Sequence, residues 1–146
     1  MRLLLDTHAL IWALEAPRRL PGWLRAAIED PENEVFASAA SAWEIAIKQS
    51  LGKLPLPRAD FLETLHRSGL VELPITARHA DGTRSLPPLH RDPFDRMLVA
   101  QAQAEGLSLV SRDPAIRRYQ VTVLWDLEVQ APRGAYRVRR KPRRRR

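Results

Sequence analysis

The chain has 146 residues, 45% of them apolar, which suits one domain of ordinary size with a real core. It has no cysteine, so disulfides, thiolate zinc sites and cysteine nucleophiles are excluded, and no apolar run approaches the ~20 residues that span a bilayer. The net charge of +7 is local: residues 137–146 hold eight Lys or Arg and no acid, and taking those eight from the 24 basic residues leaves 16 against 17 acidic. The expectation is a near-neutral globule over residues 1–130 followed by a basic, disordered tail over 131–146. Because the first apolar stretch, Leu3-Leu4-Leu5, stops at Asp6, it reads as a buried strand and not as a signal peptide, and cytoplasmic residence is expected.

Residues 7–15 form a first helix, apolar almost all the way round and therefore expected to be largely buried, ended by Pro17. A shorter helix is expected over 22–30, with Trp23, Leu24, Ala27 and Ile28 on one face, and a short strand over 34–37. The longest apolar helix runs over 38–51, with a narrow polar stripe of Ser41, Glu44 and Lys48 and Gly52 as its stop. Residues 54–57 (LPLP) are a rigid connector and 59–67 another helix, while Pro74 keeps the strand over 70–75 short or at an edge. Gly82, Pro87 and Pro88 limit 76–91 to a short helix and a loop. Asp92-Pro93 opens a helix to Glu105, closed by Gly106; 107–110 is a strand, Asp113-Pro114 opens a short helix, and 121–124 is a last strand. Strands alternating with helices imply an α/β domain, with a mostly parallel central sheet flanked by helices.

Four acids are candidate functional residues: Asp6, Glu44, Asp95 and Asp113. Strand-to-helix junctions of a parallel sheet gather along one edge, and carboxylates meeting there repel unless a cation joins them. Asp6, Asp95 and Asp113 each have a plain alternative as helix-start residues, favoured by capping or by the helix dipole at ~0.3–1 kcal/mol. Glu44 is mid-helix, where its plain alternative is an exposed pair with Lys48 worth ~0.2–0.5 kcal/mol. Hard cations such as Mg²⁺ and Mn²⁺ favour oxygen ligands and can polarise phosphate. His8, His66, His79 and His90 show no paired helical spacing, so histidine ligands are not expected, and there is no Gly-rich phosphate loop.

Several ordered blocks carry a resemblance. They are 3–8 (LLLDTH), 41–48 (SAWEIAIK), 52–54 (GKL), 92–102 (DPFDRMLVAQA) and 109–113 (LVSRD). Together they resemble PIN-domain proteins, and among them VapC-type toxins of bacterial toxin–antitoxin pairs. The resemblance covers about residues 2–127. It implies a single PIN-like domain and an Mg²⁺- or Mn²⁺-dependent ribonuclease in which Asp6, Glu44 and Asp95 bind metal. It also implies that Asp113 completes the acidic pocket. It further implies a homodimer and a cognate antitoxin that blocks the site. Arg96 and Arg112, beside two of the acids, are candidates for phosphate contact. Two other readings remain open. One is a phosphatase or phosphoacceptor using Asp6, against which position 8 is His where a second Asp is wanted. The other is a non-catalytic RNA-binding module acting through the basic tail.

Overall fold

A computed structural model describes residues 1–54 and 61–126. The LPLP connector at 55–57, the first two residues of the helix expected over 59–67, and the basic tail lie outside the described residues. Among those described, five strands form one parallel sheet in the order β3-β2-β1-β4-β5: β1 (Arg2–Leu5), β2 (Glu34–Ser38), β3 (Val71–Leu73), β4 (Ser108–Val110) and β5 (Val123–Leu124). Six α-helices accompany them: α1 (Thr7–Glu15), α2 (Gly22–Glu29), α3 (Ala39–Ser50), α4 (Phe61–Arg67), α5 (Ala77–Gly82) and α6 (Pro93–Glu105).

The central strand shows why both faces are covered. Leu3, Leu4 and Leu5 are fully buried, and successive side chains of a strand point to opposite faces. Leu4 joins Phe36, Leu98, Val99 and Leu109 under α6 on one side, whereas Leu3 and Leu5 join Leu10, Leu24, Val35 and Ile45 under α1 and α2 on the other. β3 is the edge strand that Pro74 foretold.

Local chemistry sets the helix ends. Asp6 caps α1 by accepting from the Ala9 amide, Ser38 caps α3 by accepting from Ala40, and Asp92 caps α6 by accepting from Phe94 and Asp95. Gly106, at φ 65°, closes α6 in the left-handed conformation that glycine adopts without penalty. Two expectations change. α1 is not buried all round: Thr7, Ala9 and Leu10 are buried while Ile11 to Leu14 are half-buried, because its Trp12 side opens toward arginines. The helix expected after Asp113 is a single 3₁₀ turn, Ile116–Arg118.

The strand order fixes where a site can form. β1 lies between β2 and β4, so the chain leaving β1 and the chain leaving β4 diverge from adjacent strands. Such a switch point opens a crevice at the carboxyl ends of the strands. Asp6 and Ser111 are the first residues beyond those two strands, and the Asp6 amide donates to the Val110 carbonyl at 2.9 Å across the join.

Candidate acidic metal site

Asp6 caps α1 with Oδ1, 2.8 Å from the Ala9 amide, and only 6% of the residue is exposed. Burial pushes its carboxyl pKa up, and the nearby charge of Asp113 adds to the rise; the Ser111 side chain, the Ala9 amide and His8 pull the other way. Asp113 enters from the turn after β4. Its Oδ1 accepts from the Ala115 amide at 2.8 Å, and its Oδ2 is left for another partner.

Asp95 sits in the first turn of α6, but the capping there is done by Asp92, so its carboxylate is free of that duty. Burial pushes its pKa up to about 7, helped by the charges of Asp92, Asp6 and Glu44, with His90 opposing. Glu44 projects from α3 and is buried, 2.8 Å from Lys48 Nζ. The pair expected from the sequence is therefore present, yet the glutamate end is enclosed and not solvated. A cleft of about 340 Å³ opens beside it, lined by Ile47, Lys48, Arg91, Pro93 and Phe94.

The structure thus brings four acids from α1, α3, α6 and the turn after β4 to one edge: Asp6 senses Asp113, and Asp95 senses both Asp6 and Glu44. Lys48 and His90 are the cationic or donating side chains that reach them among the described ion pairs.

His90 brings to the acidic edge a histidine that helical spacing did not point to. Its Nε2 lies 3.0 Å from Asp95 Oδ2 and 3.0 Å from Asp113 Oδ2. One atom from each of the three residues lies within 4.8 Å of the others, a grouping that can hold a metal ion. Because Nδ1 accepts from the Asp92 amide at 3.1 Å, the ring proton belongs on Nε2, and His90 acts as a donor between two carboxylates. The His90 amide in turn donates to the Tyr119 hydroxyl at 3.0 Å. No helical spacing reveals this residue; its signal in the sequence is its position two residues before the Asp92 cap. Ser111, fully buried, is a second polar neighbour that the sequence did not single out; its Oγ accepts from the Asp113 amide at 3.1 Å.

Arg96 is not available for phosphate. Its guanidinium donates to the carbonyls of Pro87, Thr83 and Leu86 and to the Tyr119 hydroxyl, which makes it a cross-link under the 83–87 loop. His8 is exposed and meets Trp12 edge-on, with 6.2 Å between ring centroids, and so is not turned inward beside Asp6.

The donor set fits a hard divalent cation. Several carboxylates share one partly buried edge, and burial, helped by the neighbouring acids, pushes the Asp95 pKa up to about 7. No described helix is long and apolar enough to cross a membrane.

Comparison with known proteins gives a family, a relative and solved structures of similar fold. The family model described as PIN domain matches residues 3–121. Ribonuclease VapC16 of Mycobacterium tuberculosis (strain ATCC 25618 / H37Rv) is 41% identical over 64 residues. That match covers 42% of this chain and 45% of the relative, so it spans less than half the length of the curated protein. Among solved structures, VapBC2 from Rickettsia felis bound to a DNA fragment from its promoter aligns with a TM-score of 0.64 at 18% identity, covering 86% of this chain and 100% of that one. FitAcB from Neisseria gonorrhoeae aligns at 0.55 and 22% identity, covering 83% and 95%. Both show the same fold.

Proposed function

From the premise that this chain belongs to the PIN domain family, we propose that it is a metal-dependent endoribonuclease, the toxin of a toxin–antitoxin pair. The observation that carries the reading is the convergence of Asp95 and Asp113 on His90 Nε2, each at 3.0 Å, at the edge where buried Asp6 and Glu44 also lie. Burial, with the charges of Asp92, Asp6 and Glu44, pushes the Asp95 carboxyl up to about 7, as expected where acids gather without a cation. The ribonuclease name of the Mycobacterium relative supports the substrate, and the VapBC2 structure supports an antitoxin partner. Action in the cytoplasm belongs to the same reading.

Asp6, Glu44, Asp95 and Asp113 would hold the cation, Mg²⁺ or Mn²⁺. Bound there, such an ion would lower the pKa of a water and offset charge on the phosphate oxygens. The protein's own residues prepare the place. Asp6 caps α1 through Oδ1 and Asp113 accepts from the Ala115 amide through Oδ1, so each carboxylate is held through one oxygen and has a second to offer. His90 draws Asp95 and Asp113 together through Nε2 and is itself oriented by Asp92 and Tyr119. Lys48 neutralises the far side of Glu44. Asp95 must give up its proton before it can serve as a ligand. A homodimer completes the proposal, and exposed Trp43, set edge-on to Phe94 at 5.2 Å, offers apolar surface for it.

The test is expression of wild type and Asp95→Asn with RNA 5′ ends mapped in each. New ends in the wild type that vanish in the variant support the reading, and identical end maps sink it.

A further inference from the structure

We infer that Trp12, Arg19 and Arg112 form a platform that grips the phosphate backbone of RNA beside the acidic edge; this rests on the ribonuclease reading and says where the substrate strand lies. The Arg112 guanidinium carbon is 4.8 Å from the centroid of the Trp12 ring, and that of Arg19 is 5.7 Å from it. Trp125 packs against the same indole at 5.8 Å. Arg112 lies between Ser111 and Asp113, so the platform begins one residue from the acidic edge.

Several of the described arginines are already engaged. Arg2, Arg67, Arg84 and Arg117 each meet a carboxylate, and Arg96 is consumed by loop carbonyls. Among the described residues neither Arg19 nor Arg112 has an acidic partner, and both are exposed. A guanidinium stacked on an indole keeps its N–H edge free, and that edge matches two phosphate oxygens at once. Two such forks on one rigid ring form a preorganised anion site, next to carboxylates that alone would repel RNA. The half-buried indole, with Trp125 packed on it, fixes both forks beside the edge where the ribonuclease reading puts an RNA backbone.

The experiment uses the full chain in an Asp95→Asn background, so that RNA survives. A fluorescent single-stranded oligoribonucleotide and, in parallel, polyglutamate are titrated over a range of salt. Arg112→Gln should weaken RNA binding several-fold. Arg19→Gln with Arg112→Gln should lower the slope of log affinity against log salt by ~1.4, since each lost phosphate contact on a single strand removes ~0.7. Arg112→Lys, which keeps the charge but not the planar fork, should keep the slope and lose affinity. Unchanged RNA affinity and slope in the double variant overturns the platform, as does a loss confined to polyglutamate. Either result leaves the nuclease reading standing, because that reading falls when wild type and Asp95→Asn give identical RNA end maps.

Discussion

His90 Nε2 stands 3.0 Å from Asp95 Oδ2, with Asp113 Oδ2 at the same distance on its other side. One donor thus holds two carboxylates converged before any cation arrives. His90→Ala should leave the fold intact and raise the Mg²⁺ needed for half-maximal RNA cleavage by ~10-fold, the scale on which residues orienting metal ligands act. An unchanged midpoint in a magnesium titration would show that His90 does not organise the site.

The raised pKa of Asp95 makes a stability prediction with a definite sign. From about pH 4 to about pH 7 the unfolded chain has Asp95 ionised while the folded chain keeps it protonated. Its contribution to stability is therefore complete below pH 4 and is lost as pH rises through about 7. Buried Asp6, also raised, acts in the same direction. In EDTA, Asp95→Asn should melt several degrees above wild type at pH 8, with a smaller gap at pH 5. Adding Mg²⁺ at pH 8 should raise the wild-type Tm and leave the variant nearly unmoved. Equal melting curves at pH 8 in EDTA would mean that Asp95 is not under this strain.

Arg96 should behave as a structural residue. Arg96→Met removes four donor contacts to Pro87, Thr83, Leu86 and Tyr119. Stability should fall by ~2 kcal/mol, the scale of hydrogen bonds from a charged group. RNA affinity measured well below the Tm should not change. A salt slope reduced by this variant would return Arg96 to the list of phosphate contacts.

Deleting residues 137–146 removes eight basic side chains. RNA affinity should drop and its salt dependence flatten, while cleavage at saturating RNA persists. A salt slope identical to that of the full chain would show that the tail does not engage phosphate.

Much of the fold was written in end signals. Asp6, Ser38 and Asp92 start their helices where short polar side chains should, and Gly106 ends α6 as expected, so α1 and α6 match the sequence reading residue for residue. Strand order was not legible, because alternation of strands and helices says nothing of which strands are neighbours. The convergence of Asp6 with Asp113 depends on that order, with β1 placed beside β4. His90 was missed for a related reason: a loop residue has no periodicity, and only the path of 86–92 past Tyr119 delivers its ring to the carboxylates. Glu44 was the reverse case. Its i,i+4 partner Lys48 was readable, but its burial depends on α6 closing over α3.

The packing of Trp125 on Trp12 has a consequence for the edge strand β5. It pins the chain leaving β5 against the helix that Asp6 caps, and Trp23 Nε1 donates to the Trp125 carbonyl at 3.2 Å from the next helix. The same Trp12 ring carries the Arg112 guanidinium at 4.8 Å. One indole thus ties the outermost strand of the sheet to the residue beside Asp113, so loosening that ring would disturb the sheet's edge and the acidic edge together.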